Sequence, residues 1–347
     1  MEKDQKIKVG ISVGDINGIG IEVILKTFED KRMLDFCTPV LFASLKVISF
    51  HKNNLKSEVR VQEIHSLEKV IDGKVNLLSI TNDEVKVELG TPTKVSGVFA
   101  LQSLEAATLA LKEGKVDLLV TAPISKDNIQ SETFKFAGHT EFLEEKLEGE
   151  SLMILMTDTL RMGLITGHVP VAKVSETITK ELIISKVNTM YTTLVQDFRI
   201  DKPKIAVLGL NPHCGDNGVI GNEDDELVRP TLREIRDTGK LVYGPYAADG
   251  FFGSGNYQGF DGVLAMYHDQ GLVAFKTLAF GNGVNFTAGL SEVRTSPDHG
   301  TAFEIAGQNK ADASSFKEAL FSGLKIVKIR EAYKTLVKDS LKVRKKY

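Results

Sequence analysis

The sequence predicts an α/β protein built on a layered, mostly parallel β-sheet. Short apolar runs alternate with segments of helical periodicity along the chain, the rhythm of strand–helix units. Several of those runs are continuously apolar rather than alternating, as strands covered on both faces are. The length of 347 residues, with 42% hydrophobic residues, exceeds one ordinary core and points to two domains, or to one large unit with lobes.

Taken in order, Ile7 to Val13 is the first strand-like run. It leads through Gly14-Asp15-Ile16-Asn17-Gly18-Ile19-Gly20 into an amphipathic segment from Ile21 to Phe28. These glycines do not fit G-x-G-x-x-G, and no G-K-[ST] phosphate loop is present, so a Rossmann dinucleotide site is unsupported. They suit a tight strand-to-helix turn with close packing. Val98 to Leu111 has helical spacing and stops at Gly114, a residue suited to ending a helix. Val116–Val120, Leu152–Met156, Met162–Ile165, Ile205–Leu210 and Val263–Met266 each read as buried parallel strands. A helical pattern from Ser315 to Leu341 closes the fold, and the basic tail Lys342–Tyr347 reads as a solvated helix end. No repeat, low-complexity tract or Pro- or Ser-rich linker marks a domain boundary.

Composition excludes several functions. A formal net charge of -3 gives no global field for nucleic acid or an anionic membrane. No apolar run reaches the length of a membrane span. Met1 to Lys8 is charged and lacks the apolar centre of a signal peptide. Two cysteines, Cys37 and Cys214, make no disulfide framework, and a reducing cytoplasm is expected.

Two of the seven histidines read differently from the other five. His51 and His65 lie in a polar, lysine-rich stretch and read as surface residues. His168, His213 and His268 each follow an apolar run, so three strands each deliver one imidazole at their C-terminal end, the edge where open parallel sheets bind ligands. Three neutral imidazoles with one open position make a catalytic site for zinc or a related divalent ion; each histidine alone also suits a hydrogen-bonding turn. Thr121-Ala122-Pro123-Ile124-Ser125-Lys126, Gly138-His139-Thr140-Glu141, Asp249, Lys276, Asn285 and Arg294 are expected at the same edge. Such a set suits an anionic substrate, a phosphate plus a carboxylate; a solvated face is the alternative for Lys276 and Arg294, and for Arg294 the turn-rich stretch between Gly289 and Pro297 favours function.

These segments, with Asn211-Pro212-His213-Cys214-Gly215-Asp216, Tyr267-His268-Asp269-Gln270-Gly271 and Arg294-Thr295-Ser296-Pro297-Asp298-His299-Gly300-Thr301-Ala302, make the chain resemble the 4-hydroxythreonine-4-phosphate dehydrogenase family of pyridoxal 5′-phosphate biosynthesis. The resemblance covers nearly the whole length. It implies an isocitrate/isopropylmalate dehydrogenase-like fold: two α/β domains with a mostly parallel sheet and a cleft between them. The first would take 1–125 plus 290–347 with the cofactor loop, the second 126–289 with the metal site and a dimer interface.

The resemblance further implies one divalent metal per site (zinc, alternatively magnesium or cobalt) on His168, His213 and His268. Substrate-binding residues map to His139, Thr140, Lys276, Asn285 and Arg294. NAD or NADP would bind by its adenosine half at His299, Gly300, Thr301 and Ala302, a loop that otherwise reads as a plain turn into the next helix. A homodimer would share each active site, with ligands from both subunits. The substrate is expected to be a small phosphorylated hydroxy amino acid, with neither nucleic acid nor membrane as partner. Asp249 and Asp269 are the candidate general bases. Competing readings are a related dehydrogenase of another phosphorylated hydroxy acid or of a dihydrodiol, a three-histidine zinc hydrolase, and a non-enzymatic ligand-binding protein. Two departures stand out: the usual Pro-Ala of the first loop is Ile16-Asn17 here, and the proline expected after Gly20 is Ile21.

Overall fold

A computed structural model of the protein describes residues 6–81, 83–131, 134–279 and 281–338. The charged start (1–5), the end of the closing helical pattern (339–341) and the basic tail (342–347) lie outside the described residues.

The strands are β1 (Ile7–Ser12), β2 (Cys37–Ala43), β3 (Val61–Ile64), β4 (Val75–Ser79), β5 (Leu118–Thr121), β6 (Gly149–Met156), β7 (Arg161–Leu164), β8 (Lys204–Leu208), β9 (Leu241–Tyr246), β10 (Gly262–Ala265), β11 (Val284–Leu290) and β12 (Arg294–Pro297). They form one sheet in the order β3-β4-β2-β1-β5-β12-β11-β6-β7-β10-β8-β9. From β3 to β12 every pairing is parallel. From β7 to β9 every pairing is parallel again. Between them lie three successive antiparallel pairings, β12–β11, β11–β6 and β6–β7.

Three inversions reverse the direction of travel, so the strands of the β7–β9 half run opposite to those of the β3–β12 half. This corrects two expectations. The run Leu152–Met156 is antiparallel to both its neighbours: burial on both faces makes it apolar, whatever its direction. The polar clusters also do not share one sheet edge, because the C-terminal ends of β5 and β7 lie at opposite edges.

Helix Ser314–Lys338 covers β5 and β12. Its buried residues Phe316, Ala319, Leu320, Gly323, Leu324 and Val327 recur at helical spacing and form one apolar face. Gly323 permits the contact, since a Cβ there would lie 2.7 Å from Leu118 and 2.9 Å from Thr295 Oγ1. The same helix is fixed near its C-terminal end by a buried bidentate pair, Arg330 with Asp197, at 2.7 and 2.8 Å. Among the described residues no helix is long and apolar enough to cross a membrane. Cys37 and Cys214 are both free and buried.

The turn from β1 into helix Gly20–Glu29 is held by close packing and buried hydrogen bonds. Gly14 has φ 68°, and a Cβ there would meet Pro123 O at 2.2 Å, so only glycine fits. Asp15 is fully buried and accepts from Asn17 N, Ser96 Oγ and Asn128 Nδ2 at 2.9, 3.1 and 2.7 Å. His51, expected at the surface, is 1% exposed and bonds through Nε2 to Ile16 O at 2.8 Å. It shares the inner face of helix Leu45–Leu55 with Val47 and Ile48, a position its polar sequence neighbours conceal. His65 is exposed as expected.

Candidate active site

Four adjacent central strands lay the floor of a cleft of about 420 Å³. Residues paired directly across strands point to the same face. Register pairs Met153, Thr287 and Arg294 in one row and Leu155, Asn285 and Ser296 in the next. The walls come from connections: Thr121–Lys126 after β5, the start of helix His139–Lys146, His168 after β7, helix His268–Ala279 after β10, and His299-Gly300 after β12. Thus His139, Thr140, His168, His268, Asp269, Lys276, Asn285, Arg294, His299 and Gly300 all line one cavity.

Arg294 lies at its base and is 2% exposed. Its Nε and Nη2 donate to Thr121 Oγ1 at 3.1 and 2.6 Å, and Nη1 donates to Thr287 Oγ1 at 3.0 Å. Among the described residues no carboxylate is bonded to it. Burial pushes its pKa down to about 9, opposed in part by the charge of Glu141, so it is still a cation at neutral pH. A buried cation held by neutral hydroxyls is costly until an anion joins it, and the guanidinium fork matches phosphate or carboxylate oxygens.

The surroundings fit that reading. Burial, then the charges of Arg294 and Lys126, hold His139 well below its ordinary pKa, so its imidazole is neutral. His139 Nε2, Asn285 Oδ1 and His299 Nε2 are sealed from solvent and meet no hydrogen-bond partner among the described residues. Lys276, half exposed, lies 3.1 Å from Asp298 Oδ1.

His168 and His268 stand with ring centroids 5.6 Å apart. Nδ1–H of His168 donates to Glu141 Oε1 at 2.9 Å, and Nδ1–H of His268 donates to Asp269 Oδ1 at 2.7 Å. Burial raises the Glu141 pKa, but the bond from His168 and nearby positive charge outweigh it and hold the carboxyl below its usual range. Carboxylates on Nδ1 fix the tautomer that turns Nε2 toward a metal. Nε2 of His168 already accepts from Lys126 Nζ at 3.0 Å. These two donors fit a divalent ion.

His213 stands apart from them. It is exposed on the turn Pro212–Gly215, outside the cleft. Residues 213–218 all have positive φ, an uncommon run for non-glycine residues. The turn is anchored by buried Asp224, which accepts from Leu210 N and Asn211 N at 2.8 and 2.9 Å. Among the described residues of one chain, no three His, Cys, Asp or Glu side chains are grouped to hold a metal. Asp249 is also exposed and outside the cleft, whereas Asp269 lines it and accepts from His268 Nδ1.

Thr301 and Ala302 lie beyond the cleft lining and seat their loop on the first glycine turn: Thr301 O accepts from Ile19 N at 3.0 Å, and a Cβ on Gly18 would meet it at 2.7 Å. A Cβ on Gly300 would meet nothing within 4 Å. Sequence reasoning overlooked Lys126, Glu141 and Asp298 as individual site residues, although each lies inside or beside a segment it had singled out. Thr287 had no signal at all, because only strand register sets it beside Arg294.

The chain matches the model of the family described as pyridoxal phosphate biosynthetic protein PdxA over residues 35–322. A 4-hydroxythreonine-4-phosphate dehydrogenase of Bacteroides thetaiotaomicron is 48% identical over 334 residues, 96% of this chain and 92% of that one. Its counterpart from a Sulfurihydrogenibium species is 39% identical, covering 94% of this chain and all (100%) of that one. The crystal structure of 4-hydroxythreonine-4-phosphate dehydrogenase from Klebsiella pneumoniae superposes with a TM-score of 0.79 at 28% identity, over 95% of this chain and 100% of that one. By fold the protein is an α/β enzyme of the isocitrate/isopropylmalate dehydrogenase-like class. It belongs to the PdxA family of pyridoxal phosphate biosynthetic proteins, whose relatives named here are oxidoreductases.

Proposed function

We propose that this chain is an NAD(P)- and divalent-metal-dependent dehydrogenase. It oxidises 4-phosphooxy-L-threonine to 2-amino-3-oxo-4-phosphooxybutanoate, a β-keto acid that loses carbon dioxide to give 3-amino-2-oxopropyl phosphate. The observation that carries the reading is the buried Arg294 cation, to which no carboxylate is bonded among the described residues, at the base of a cleft also lined by Lys276, His139 and Asn285. The substrate's phosphate answers that charge, and Lys276 adds a second cation at the mouth.

His168 and His268 would hold the metal, with Glu141 and Asp269 orienting them and His213 completing the set. Because His213 lies outside its own chain's cleft, the reading assigns it to the site of a second copy in a homodimer. A divalent ion there would supply Lewis acidity that lowers the pKa of the substrate's secondary hydroxyl, and a bound nicotinamide would supply the acceptor for the hydride from the carbon that bears it. The protein's own part is positioning: Arg294 and Lys276 fix the phosphate, neutral His139 presents a hydrogen-bonding imidazole rather than a third cation, and the 299–302 loop receives the adenosine half. The division into lobes at 125/126 and 289/290 draws support from the sheet order, which separates β1–β5 and β12 from β6–β11.

The test is formation of reduced nicotinamide from a panel: 4-phosphooxy-L-threonine, a four-carbon sugar-acid phosphate and an aromatic dihydrodiol. The reading expects turnover of the first, dependent on added divalent metal. Preference for either of the others would reassign the substrate, and nicotinamide-independent hydrolysis would reassign the class.

A further inference from the structure

Asn17, in the first glycine loop, is built into the support of the proposed nucleotide loop. Asn17 is fully buried, yet nearly all of its hydrogen-bonding capacity is spent on one irregular segment, 88–93. Its Nδ2 donates to Thr91 O at 2.8 Å and to Thr93 Oγ1 at 3.3 Å. Its Oδ1 accepts from Glu88 N at 2.8 Å, and its backbone carbonyl accepts from Gly90 N at 2.9 Å. Four bonds thus bind the loop before helix Lys94–Lys112 to the turn after β1.

That gripped segment in turn supports the stretch following His299–Ala302. A Cβ on Gly90 would lie 3.0 Å from Phe303 O, and one on Gly307 would lie 2.4 Å from Leu89 Cδ1. On the other side, Ile19 N donates to Thr301 O, and Asn54 Nδ2 donates to Gly307 O at 3.0 Å. Besides Asn54, the 301–307 stretch therefore rests on residues 18–19 and on residues 89–90. Asn17 is the joint between them, directly preceding one and hydrogen-bonded to the other. An alanine at this position would have no side-chain amide and could not form three of the four bonds.

We propose that Asn17 is a positioning residue for nucleotide binding in this chain: by clamping segment 88–93 it holds the 299–307 loop in its binding-competent form. This rests on the reading of 299–302 as the nucleotide loop. If that loop is held competent only part of the time, apparent affinity falls in proportion to the competent fraction.

The test uses the full-length protein carrying Asn17→Ala and, separately, Leu89→Ala, which trims the contact with Gly307 at a partly exposed site and guards against a folding defect in the first variant. Calorimetric titration with NAD+ and NADP+ should show binding about tenfold weaker in Asn17→Ala, the ratio that one lost hydrogen bond of ordinary net strength corresponds to. Leu89→Ala should shift it in the same direction. Metal content and the KM for phosphorylated substrate should stay at parent values. Hydrogen exchange should accelerate at the Glu88 and Gly90 amides and through 301–307. Unchanged nucleotide affinity in both variants, while Gly300→Val weakens it, overturns the role of Asn17 and leaves the loop assignment standing. Unchanged affinity in all three removes the loop assignment itself. An equal loss of affinity for nucleotide and substrate overturns positioning in favour of a general loss of structure.

Discussion

Replacing Arg294 by methionine separates ligand recognition from stability, because the two should move differently. Methionine fills much of the volume and removes the charge. Depression of the Arg294 pKa from the ordinary arginine range to about 9 corresponds to about 5 kcal/mol disfavouring the buried cation, and the substitution relieves that penalty. Against it, Thr121 Oγ1 and Thr287 Oγ1 lose their bonds to the guanidinium, and each stranded hydroxyl costs roughly 1–3 kcal/mol. The opposing amounts nearly cancel, so urea denaturation of the ligand-free variant should give a stability within about 2 kcal/mol of the parent. Ligand binding has no such compensation. A lost charge-assisted contact is worth about 1.5–3 kcal/mol, so the KM for phosphorylated substrate should rise roughly ten- to a hundredfold. Inorganic phosphate should raise the melting temperature of the parent and not of the variant. A variant destabilised by more than about 4 kcal/mol, with KM and the phosphate response unchanged, would show that Arg294 is a core residue and refute the anion site.

Other perturbations probe separate parts of the molecule. If each site takes His168 and His268 from one copy and His213 from the other, mixing inactive His168→Ala and His213→Ala proteins after co-refolding should restore about a quarter of parent activity, since half the dimers are mixed and each carries one intact site; no recovery refutes the shared site. Burial pulls His51 from 6.5 down to about 4, offset only in part by its bond to Ile16. With a depressed folded pKa the unfolded chain takes up the proton first, so this contribution to stability is full above about pH 6.5 and falls away as pH drops toward 4. Between pH 7 and 5 it should amount to about 2 kcal/mol, measured as the difference in that pH dependence between parent and His51→Gln. Gly300→Val adds a side chain into open space, so melting temperature and metal content should hold while NAD(P) binding by calorimetry weakens.

Sequence patterns disclosed the parts of the fold that rest on local periodicity. The runs from Ile7, Val116, Met162, Ile205 and Val263 became strands, and the helices around Val98–Leu111 and from Ser315 formed near their expected limits. What stayed hidden is non-local. The sheet reverses through three antiparallel pairings because β11 and β12, from the last quarter of the chain, insert between β5 and β6; apolarity records burial, not direction. The site was legible as residue types, since Lys276, Asn285 and Arg294 do meet in one cavity with His139, His168 and His268. Its chemistry was less so. That Arg294 is buried among hydroxyls rather than solvated depends on the register placing Thr287 beside it, and the separation of His213 from the other two histidines depends on its left-handed turn.

The place of β12 in the sheet bears on the order in which the chain can fold during synthesis. The first five strands are all made by Thr121, but the free edge of β5 has no strand to pair with until residues 294–297 have been made. Over the intervening stretch the nascent chain carries an open parallel edge, an available template for another copy. Strand pairings so distant in sequence also close slowly. The last strand to emerge is therefore the one that joins the two halves, and its first residue is Arg294. Release of a chain broken short of that point would leave two half-sheets with mutually attractive edges, and the yield of soluble protein should hinge on how fast four residues find their slot.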